Sequence, residues 1–559
     1  MEIQEQPDNT VYGPDGYAQS GGYNSYLGLG NPTQPVETVA TPTTGASETQ
    51  GVQGPQRPKR GLSRRAVLGI SAGVGAAAIV GGGLEMVNLW QHGDLNFLLH
   101  QPIDSSMQTG HLLRRAGFGA SPTDLANWRQ YSFQDAVDRL INYRQVSDDT
   151  MENRLNALHL NMSGKGTIQN VQRWWLLRMA WTQRPLLEKM TLFWHGMLTS
   201  SFRKAGGASA SQLMLRQNQF LRSHAFDTFD NILLGITADP AMLYYLDLTK
   251  SHKNAPNENY ARELMELFTL GVGHYTQRDV SEGAAALTGW HARAIDATSH
   301  YNVNDHNNLT KTYLGHTGNL DYKDVISILT NHPAAPWFLS RKLFTFFVYE
   351  NPSDSDVQPL VDTYVKSGHN VGEMMKTLLL SPQFSSPKAY RARLKSPTEF
   401  VVGAYRALDI RGDGYNMPLA TTATGQALLD PPNVAGWPGD KVSATWLNSG
   451  TWMTRLNYID QLLLGSHTTK GSNAAVDIQG IVKANNISTP SQFVDYFSSF
   501  LLDSTLDSSR RTQFINYFQT PVQSRREASI TLTNGSRYSL SNARGTLYLI
   551  LASPEYQLN

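Results

Sequence analysis

After about Leu95, apolar positions recur at steps of three and four residues through most of the chain, as in RWWLLRMAWTQRPLLEKMTLFWHGML, SQLMLRQNQFLRSHAFDTFDNILLGI, PAAPWFLSRKLFTFFVYE and VGEMMKTLLLSPQF. That spacing is the period of helices with one buried face, whereas the strict alternation of half-buried strands is scarce. The pattern predicts an all-α fold, predominantly helical and one large domain, with a helical core over 95–465 and a C-terminal helical part of the same domain over 466–559. At most one small β-hairpin is expected, in ASITLTNGSRYSL near the C-terminus, where Asn534 and Gly535 between alternating residues supply a two-residue turn.

The most regular arrangement of ionisable groups is PNENYARELMELFTLGVGHYTQRD, from Pro256 to Asp279. Wound as an α-helix, it puts Tyr260, Leu264, Leu267 and Phe268 on one apolar face and Asn259, Arg262, Glu263 and Glu266 in a narrow arc opposite. Asn257 is placed to cap the helix and Glu258 to complement the positive end of its dipole, while Gly271 and Gly273 offer a left-handed exit. Thr276 and Asp279 repeat the start signal as a capping box, so a second helix is expected from Arg278 to Thr288. Two readings of the polar arc stand side by side. On a solvated face, Glu258 with Arg262 and Arg262 with Glu266 are i,i+4 pairs of little energetic weight. Facing a cleft, Glu263 and Glu266 are neighbouring carboxylates whose repulsion raises one of them, which suits general acid–base chemistry or a hard metal ion.

With 559 residues, 40% of them hydrophobic and 17% charged, the chain can bury a large core. A formal net charge of +1 supports no nucleic-acid partner, because that binding draws on a basic excess to release counterions. Cysteine is absent. Cys nucleophiles, thiolate zinc, c-type haem attachment and iron–sulfur clusters are therefore excluded, and His, Asp and Glu remain as ligands for a divalent metal, whose presence the sequence leaves open.

Residues 1–60, rich in Gly, Pro, Thr and Gln without an apolar period, are expected to form a disordered tail. Residues 61–90 read as a twin-arginine signal or signal-anchor: Ser63, Arg64 and Arg65 precede Val67 and Leu68, with Gly69 where a Lys is common. The uncharged run 66–84 follows Arg57, Lys59, Arg60, Arg64 and Arg65, an asymmetry that holds the N-terminus inside and sends the remainder across the cytoplasmic membrane. No convincing Ala-x-Ala cleavage site follows the run, which favours membrane anchoring through 66–84 with the domain facing outside over release as a secreted protein.

Further candidate chemistry is dispersed. His274, His291, His300, His306, His316 and His332 fall in one loop-rich stretch after the carboxylate helix. His195, beside Trp194, is a candidate base or ligand, set against a hydrogen-bonded core histidine. Arg114 and Arg115, following His111, can grip a substrate carboxylate or phosphate, or can tie the first helix to Glu263 or Glu266 as an ion-pair network. PPNVAGWPG, from Pro431 to Gly439, is a rigid loop expected to hold Trp437, with Trp446, at a cleft rim, where an indole beside carboxylates suits a sugar polymer. No GxSxG, HExxH, P-loop or dinucleotide fingerprint stands in a suitable setting.

Seven segments in order carry a resemblance: HLLRRAGFGASPTDL from His111, PLLEKMTLFWHGMLTS from Pro185, DPAMLYYLD from Asp239, the stretch from Pro256, LKSPTEFVVGAYRAL from Leu394, GQALLDPPNVAGWPG from Gly425 and the terminal ASPEYQL. Together they resemble the bacterial domain of unknown function family numbered 1800, over nearly the whole chain after the signal. The resemblance implies export and a helical fold. Two positions depart from the family pattern: Met197 stands where members often have a second His after His195, and HNNLTK from His306 replaces the usual HDxGxK. A metal site formed at those positions in relatives would be incomplete here.

Two functions follow. In the first, an exported cell-surface enzyme uses Asn259, Arg262, Glu263, Glu266 and His195 as catalytic residues and Arg114, Arg115 and Trp437 to bind an extracellular polymer, acting hydrolytically or through a metal. In the second, the chain is a non-catalytic envelope scaffold or assembly protein with an envelope protein as partner, and the same Glu/Arg motif is a buried ion-pair network that locks its own helices. The exposure and pairing of Glu263 and Glu266 discriminate between them.

Overall fold

The helical period is realised almost throughout. The computed structural model describes residues 105–163, 167–464, 476–521 and 528–559, and these form 24 α-helices and three two-stranded antiparallel sheets. The tail expected over 1–60, the signal over 61–90 and the uncharged run 66–84 lie outside the described residues. No described helix is long and apolar enough to cross a membrane.

Local chemistry sets the helix starts. Ser121, Thr276, Asp321, Ser353 and Ser396 each cap a helix with the side chain and donate their own backbone N–H to the carboxylate three positions on. Through the core runs the helix Pro185–Met197, which begins on proline and buries Leu186, Met190, Phe193 and Trp194 together with Glu188, Lys189 and His195. A helix buried on all sides is a core element, and its charges must find partners. Glu188 accepts from Trp175 Nε1 at 3.0 Å and from Arg222 Nη2 at 2.9 Å. Lys189 donates to the Gly117 carbonyl at 2.9 Å and to Glu399. The last residues return to this region, Lys395 N–H bonding the Gln557 carbonyl and Asn559 N–H the Arg393 carbonyl, each at 2.8 Å.

The C-terminal hairpin forms as expected, with Ser529–Thr531 against Arg537–Ser539, Ile530 opposite Tyr538 and Gly535 at φ 88°. The limit of one hairpin is corrected. Two more stand in the His-rich stretch: Trp290–Arg293 pairs with Thr298–Tyr301, and Lys311–Tyr313 with His316–Gly318. Strands of three or four residues are too short to display alternation. The tighter hairpin also turns on Leu314 and Gly315, at φ 47° and 84°, where such turns favour Asn-Gly or Asp-Gly.

Candidate functional site

The carboxylate helix starts as its sequence dictates and then changes. Asn257 Oδ1 accepts from Asn259 N–H at 3.0 Å and begins an α-helix over Glu258–Glu263. From Leu264 to Thr269 the backbone widens into a π-helix, with Leu270 N–H reaching the Met265 carbonyl at 2.8 Å. Such insertions recur at functional sites. The widened turn rotates Glu266 away from the position an α-helical wheel assigns it. The following helix spans Gln277–Ala286, opened by the expected Thr276–Asp279 box.

Within the polar arc the partners are unequal. Arg262 Nη2 donates to Glu258 Oε2 at 3.1 Å and to Gln277 Oε1 at 2.9 Å, turning towards the next helix. Glu266 accepts from the Tyr275 hydroxyl, and burial together with the Glu266 charge pushes that phenol up to about 12. Asn259 Nδ2 donates to Asp247 Oδ2 at 3.4 Å. Glu263 makes no hydrogen bond or ion pair with a described residue. Burial and then the Glu266 carboxylate hold its carboxyl above the ordinary range, against the pull of Arg262.

Three other segments close on this arc. Asp247, in left-handed backbone at φ 59°, also accepts from Lys204 Nζ at 3.0 Å and pairs with Lys250 Nζ at 2.8 Å. Asp239 caps the helix Pro240–Tyr245, accepting from Met242 N–H at 3.0 Å and Gln217 Nε2 at 2.7 Å, while burial pushes its carboxyl up to about 6. At the far end of that helix, burial raises the Tyr245 phenol, and the charges of Asp430 and Glu263 reach it and add to the shift. Asp430 accepts from Ser201 Oγ and Arg203 Nε, each at 2.6 Å. Its neighbour Leu429 is buried at φ 62°, its carbonyl bonded by Phe202 N–H at 3.0 Å and its N–H donating to His195 Nε2 at 2.9 Å. Non-glycine residues in left-handed backbone store of order 1–3 kcal/mol each and gather at functional sites; Asp247 and Leu429 place two beside this arc.

The fold thus brings Asn259, Glu263 and Glu266 together with Tyr245, Asp247, Lys204, Asp430 and Tyr275. Pattern reading did not single out these last five. Tyr245 and Asp247 lie in DPAMLYYLD, and Asp430 directly precedes PPNVAGWPG, so the segments were visible while the side chains were not.

The remaining expected site residues lie elsewhere. His195 is 1% exposed, its ring centroid 5.5 Å from that of Trp175 and 5.3 Å from that of Trp437, and burial drives it down to about 3. With Nε2 committed to Leu429 it positions the loop that carries Asp430. The rim expected for Trp437 and Trp446 is corrected: both are buried, because Gly436 and Gly439 let the backbone lie against Gly196 and Trp446 with no Cβ in the way, turning the indoles inward. Arg114 pairs with Asp503 at 2.6 Å. Arg115 donates to the carbonyls of Phe346 and Phe347, each at 3.0 Å, at the C-terminal end of the helix Ala335–Phe347. Ties from either arginine to Glu263 or Glu266 are therefore corrected as well. Carbonyls left without intrahelical partners and a buried aspartate satisfy the guanidiniums first.

The DUF1800 family, described as a protein of unknown function, matches residues 111–558. The chain belongs to this family. No curated protein and no solved structure matches it. All four segments that meet at Glu263 fall inside the region of DUF1800 similarity. At the two positions where this DUF1800 chain departs from the pattern, Met197 is buried and His306 Nδ1 lies 3.1 Å from the Thr288 carbonyl. Lys311, in the same HNNLTK segment, is buried and donates to the carbonyls of Asn307 and Leu309 at 2.6 and 2.9 Å, tying the loop to itself. Among the described residues no three His, Asp or Glu side chains are placed to hold a metal ion.

Proposed function

We propose that this DUF1800 protein is an exported hydrolase of the cell surface that acts on an extracellular polymer by carboxylate acid–base chemistry, with Glu263 as the group that gives or takes the proton. The single observation behind the reading is the state of Glu263: half-buried, without a hydrogen-bonding or ionic partner among the described residues, and raised by burial and by Glu266. A carboxyl raised towards neutrality exchanges protons efficiently at the pH where it works. Glu266, held by the Tyr275 hydroxyl, supplies the neighbouring charge, and Asn259, Asp247 and Lys204 form a hydrogen-bonded polar group beside it. Arg262, tied to Glu258 and Gln277, orients the helix.

The test is release of soluble fragments from isolated envelope and extracellular polysaccharide by the purified full-length chain. Wild type is expected to release them and Glu263→Gln is not, at unchanged folding; equal release by both sinks the assignment. Export rests on Arg64 and Arg65 ahead of the uncharged run. Replacing both with lysine is expected to retain the protein in the cytoplasm, and fractionation showing undiminished export overturns the twin-arginine reading.

The second reading, a non-catalytic envelope scaffold, draws on a different observation: buried pairs such as Lys189 with Glu399 and Arg114 with Asp503 join distant parts of the chain. Those pairs involve none of the four residues of the polar arc.

A further inference from the structure

A cavity of about 610 Å³ opens between three segments remote in sequence: the first described helix, Ser105–Arg115, the turn joining the helices Pro122–Trp128 and Phe133–Ile141, and the chain from the end of the helix Pro490–Leu501 to Ser504. Small-molecule sites fall in the range of about 300–1,000 Å³. None of the lining residues belongs to the segments that meet at Glu263. Tyr131 and Phe133 bring aromatic rings to the wall, with the buried Leu112 and Ala136 beside them. The Tyr131 ring stands edge-on to Trp128, centroids 6.1 Å apart, and has the Arg139 guanidinium 5.4 Å from its centroid, yet it is 41% exposed. A ring held in place by its neighbours and still open to water is a ready stacking surface. The polar lining is Gln108, Thr109, Ser499 and Ser504. Ser499 gives its hydroxyl proton to the Tyr496 carbonyl at 2.7 Å, while the side chains of Gln108, Thr109 and Ser504 make no hydrogen bond with a described residue. Asp503 and Ser504 are successive non-glycine residues in left-handed backbone, at φ 49° and 59°. Such strain persists only where the surroundings impose it, and it gathers where ligands are held. Here Arg114 and the Tyr390 hydroxyl grip the Asp503 carboxylate at 2.6 and 2.8 Å, and Ser504 N–H bonds the Ser498 carbonyl at 3.0 Å, so this part of the wall is fixed.

We propose that this cavity binds a short neutral oligosaccharide, with sugar rings against Tyr131 and Phe133 and sugar hydroxyls bonded by Gln108, Thr109 and Ser504. The ligand class follows from what the lining offers and lacks. An amide and hydroxyls both donate and accept, which matches the hydroxyl groups of a sugar one for one. The aromatic rings match the apolar C–H faces of the same sugar. A wholly apolar ligand would strip water from four polar side chains and return no hydrogen bond. Among the described residues that line the cavity there is no carboxylate to take a cation, and Arg129 is the one charged group, short of the cluster that a polyanion recruits. The ligand is inferred from this lining alone, so the proposal stands or falls apart from the assignment of Glu263. If both hold, the cavity is a second grip on the polymer that the hydrolytic centre cleaves.

Calorimetric titration of the full-length chain with cellotriose, maltotriose, chitotriose and trigalacturonate decides it. At least one of the three neutral sugars is expected to bind with Kd of about 1 mM or tighter, and Tyr131→Ala is expected to weaken that binding about tenfold while Tyr131→Phe retains it. Gln108→Ala is expected to weaken it as well. Tyr131 is exposed and Gln108 half-buried, so neither change threatens the fold, and an unaltered Tm checks this. Glu263→Gln is expected to bind the same sugar with the affinity of wild type, which separates this cavity from the hydrolytic centre. No binding of any neutral sugar, or binding of trigalacturonate alone, overturns the proposal. So does an affinity that Tyr131→Ala and Gln108→Ala leave unchanged, or one that falls only in Glu263→Gln, which would put the sugar at the other site.

Discussion

Glu399 and Glu263 are both helix glutamates withdrawn from water, and their carboxyls are displaced in opposite directions. Glu399 bonds Ser396 N–H at 2.7 Å as part of its capping box, meets the Lys189 ammonium and accepts from Asn559 Nδ2 at 2.7 Å. Burial works to raise it, yet Lys189 and Arg115 outweigh burial and bring it down to about 2. Glu263 has the burial without such partners among the described residues, and it rises. Desolvation is common to both, so the sign is set by which elements converge on the carboxylate. A paired carboxylate holds the fold together; an unpaired one is free to exchange a proton.

The largest expected effect falls on the paired side. Glu399→Gln leaves Lys189 buried with half its partners and is expected to cost about 3–5 kcal/mol in denaturant unfolding near neutral pH. Because the folded value lies below the unfolded one, the contribution of Glu399 is present above the ordinary carboxyl range of about 4.3 and lost as pH falls towards about 2, so the gap between variant and wild type should close in acid. A gap unchanged at pH 3 breaks the contrast.

An intermediate effect is expected at His195. His195→Phe strands the buried Leu429 N–H, at a cost of about 1–3 kcal/mol. Its imidazole is neutral in the fold down to about 3 while the unfolded chain takes up a proton near 6.5, so its contribution is present above 6.5 and lost as pH falls from there towards 3. The variant should lack that part of the wild-type pH slope. Undiminished stability would mean that Leu429 is held by other contacts and that His195 is free for another role.

The smallest effect on stability belongs to Glu263. Its folded value is raised, so it weakens the fold progressively as pH climbs from the ordinary carboxyl range to that value and fully above it, and not at lower pH. Glu263→Gln is therefore expected to gain a few tenths of a kcal/mol at pH 8, the shift being discounted for its solvent exposure, and nothing at pH 4. A loss of stability at pH 8 in thermal melts would show that the carboxylate is paired after all and would erase the difference from Glu399.

What the chain discloses without its fold is what neighbours in sequence decide. The three-to-four period, the boxes at Thr276–Asp279 and Ser396–Glu399, the Asn257 cap and the Asn534-Gly535 hairpin are local, because each joins groups a few residues apart, and each was legible. The tertiary structure alone decided the rest. Lys189 and Glu399 are 210 residues apart, His195 and Leu429 are 234 apart, and the carbonyls that claim Arg115 end a helix far along the chain. The π-helical turn at Leu264–Thr269 and the left-handed Leu314 and Leu429 run against local preference and persist where surrounding packing imposes them. Carboxylates at 263 and 266 follow from the sequence. That one of them is left without a partner among the described residues follows only from where Arg114, Arg115 and Arg262 find theirs, since a buried guanidinium goes to whatever acceptor the fold brings nearest.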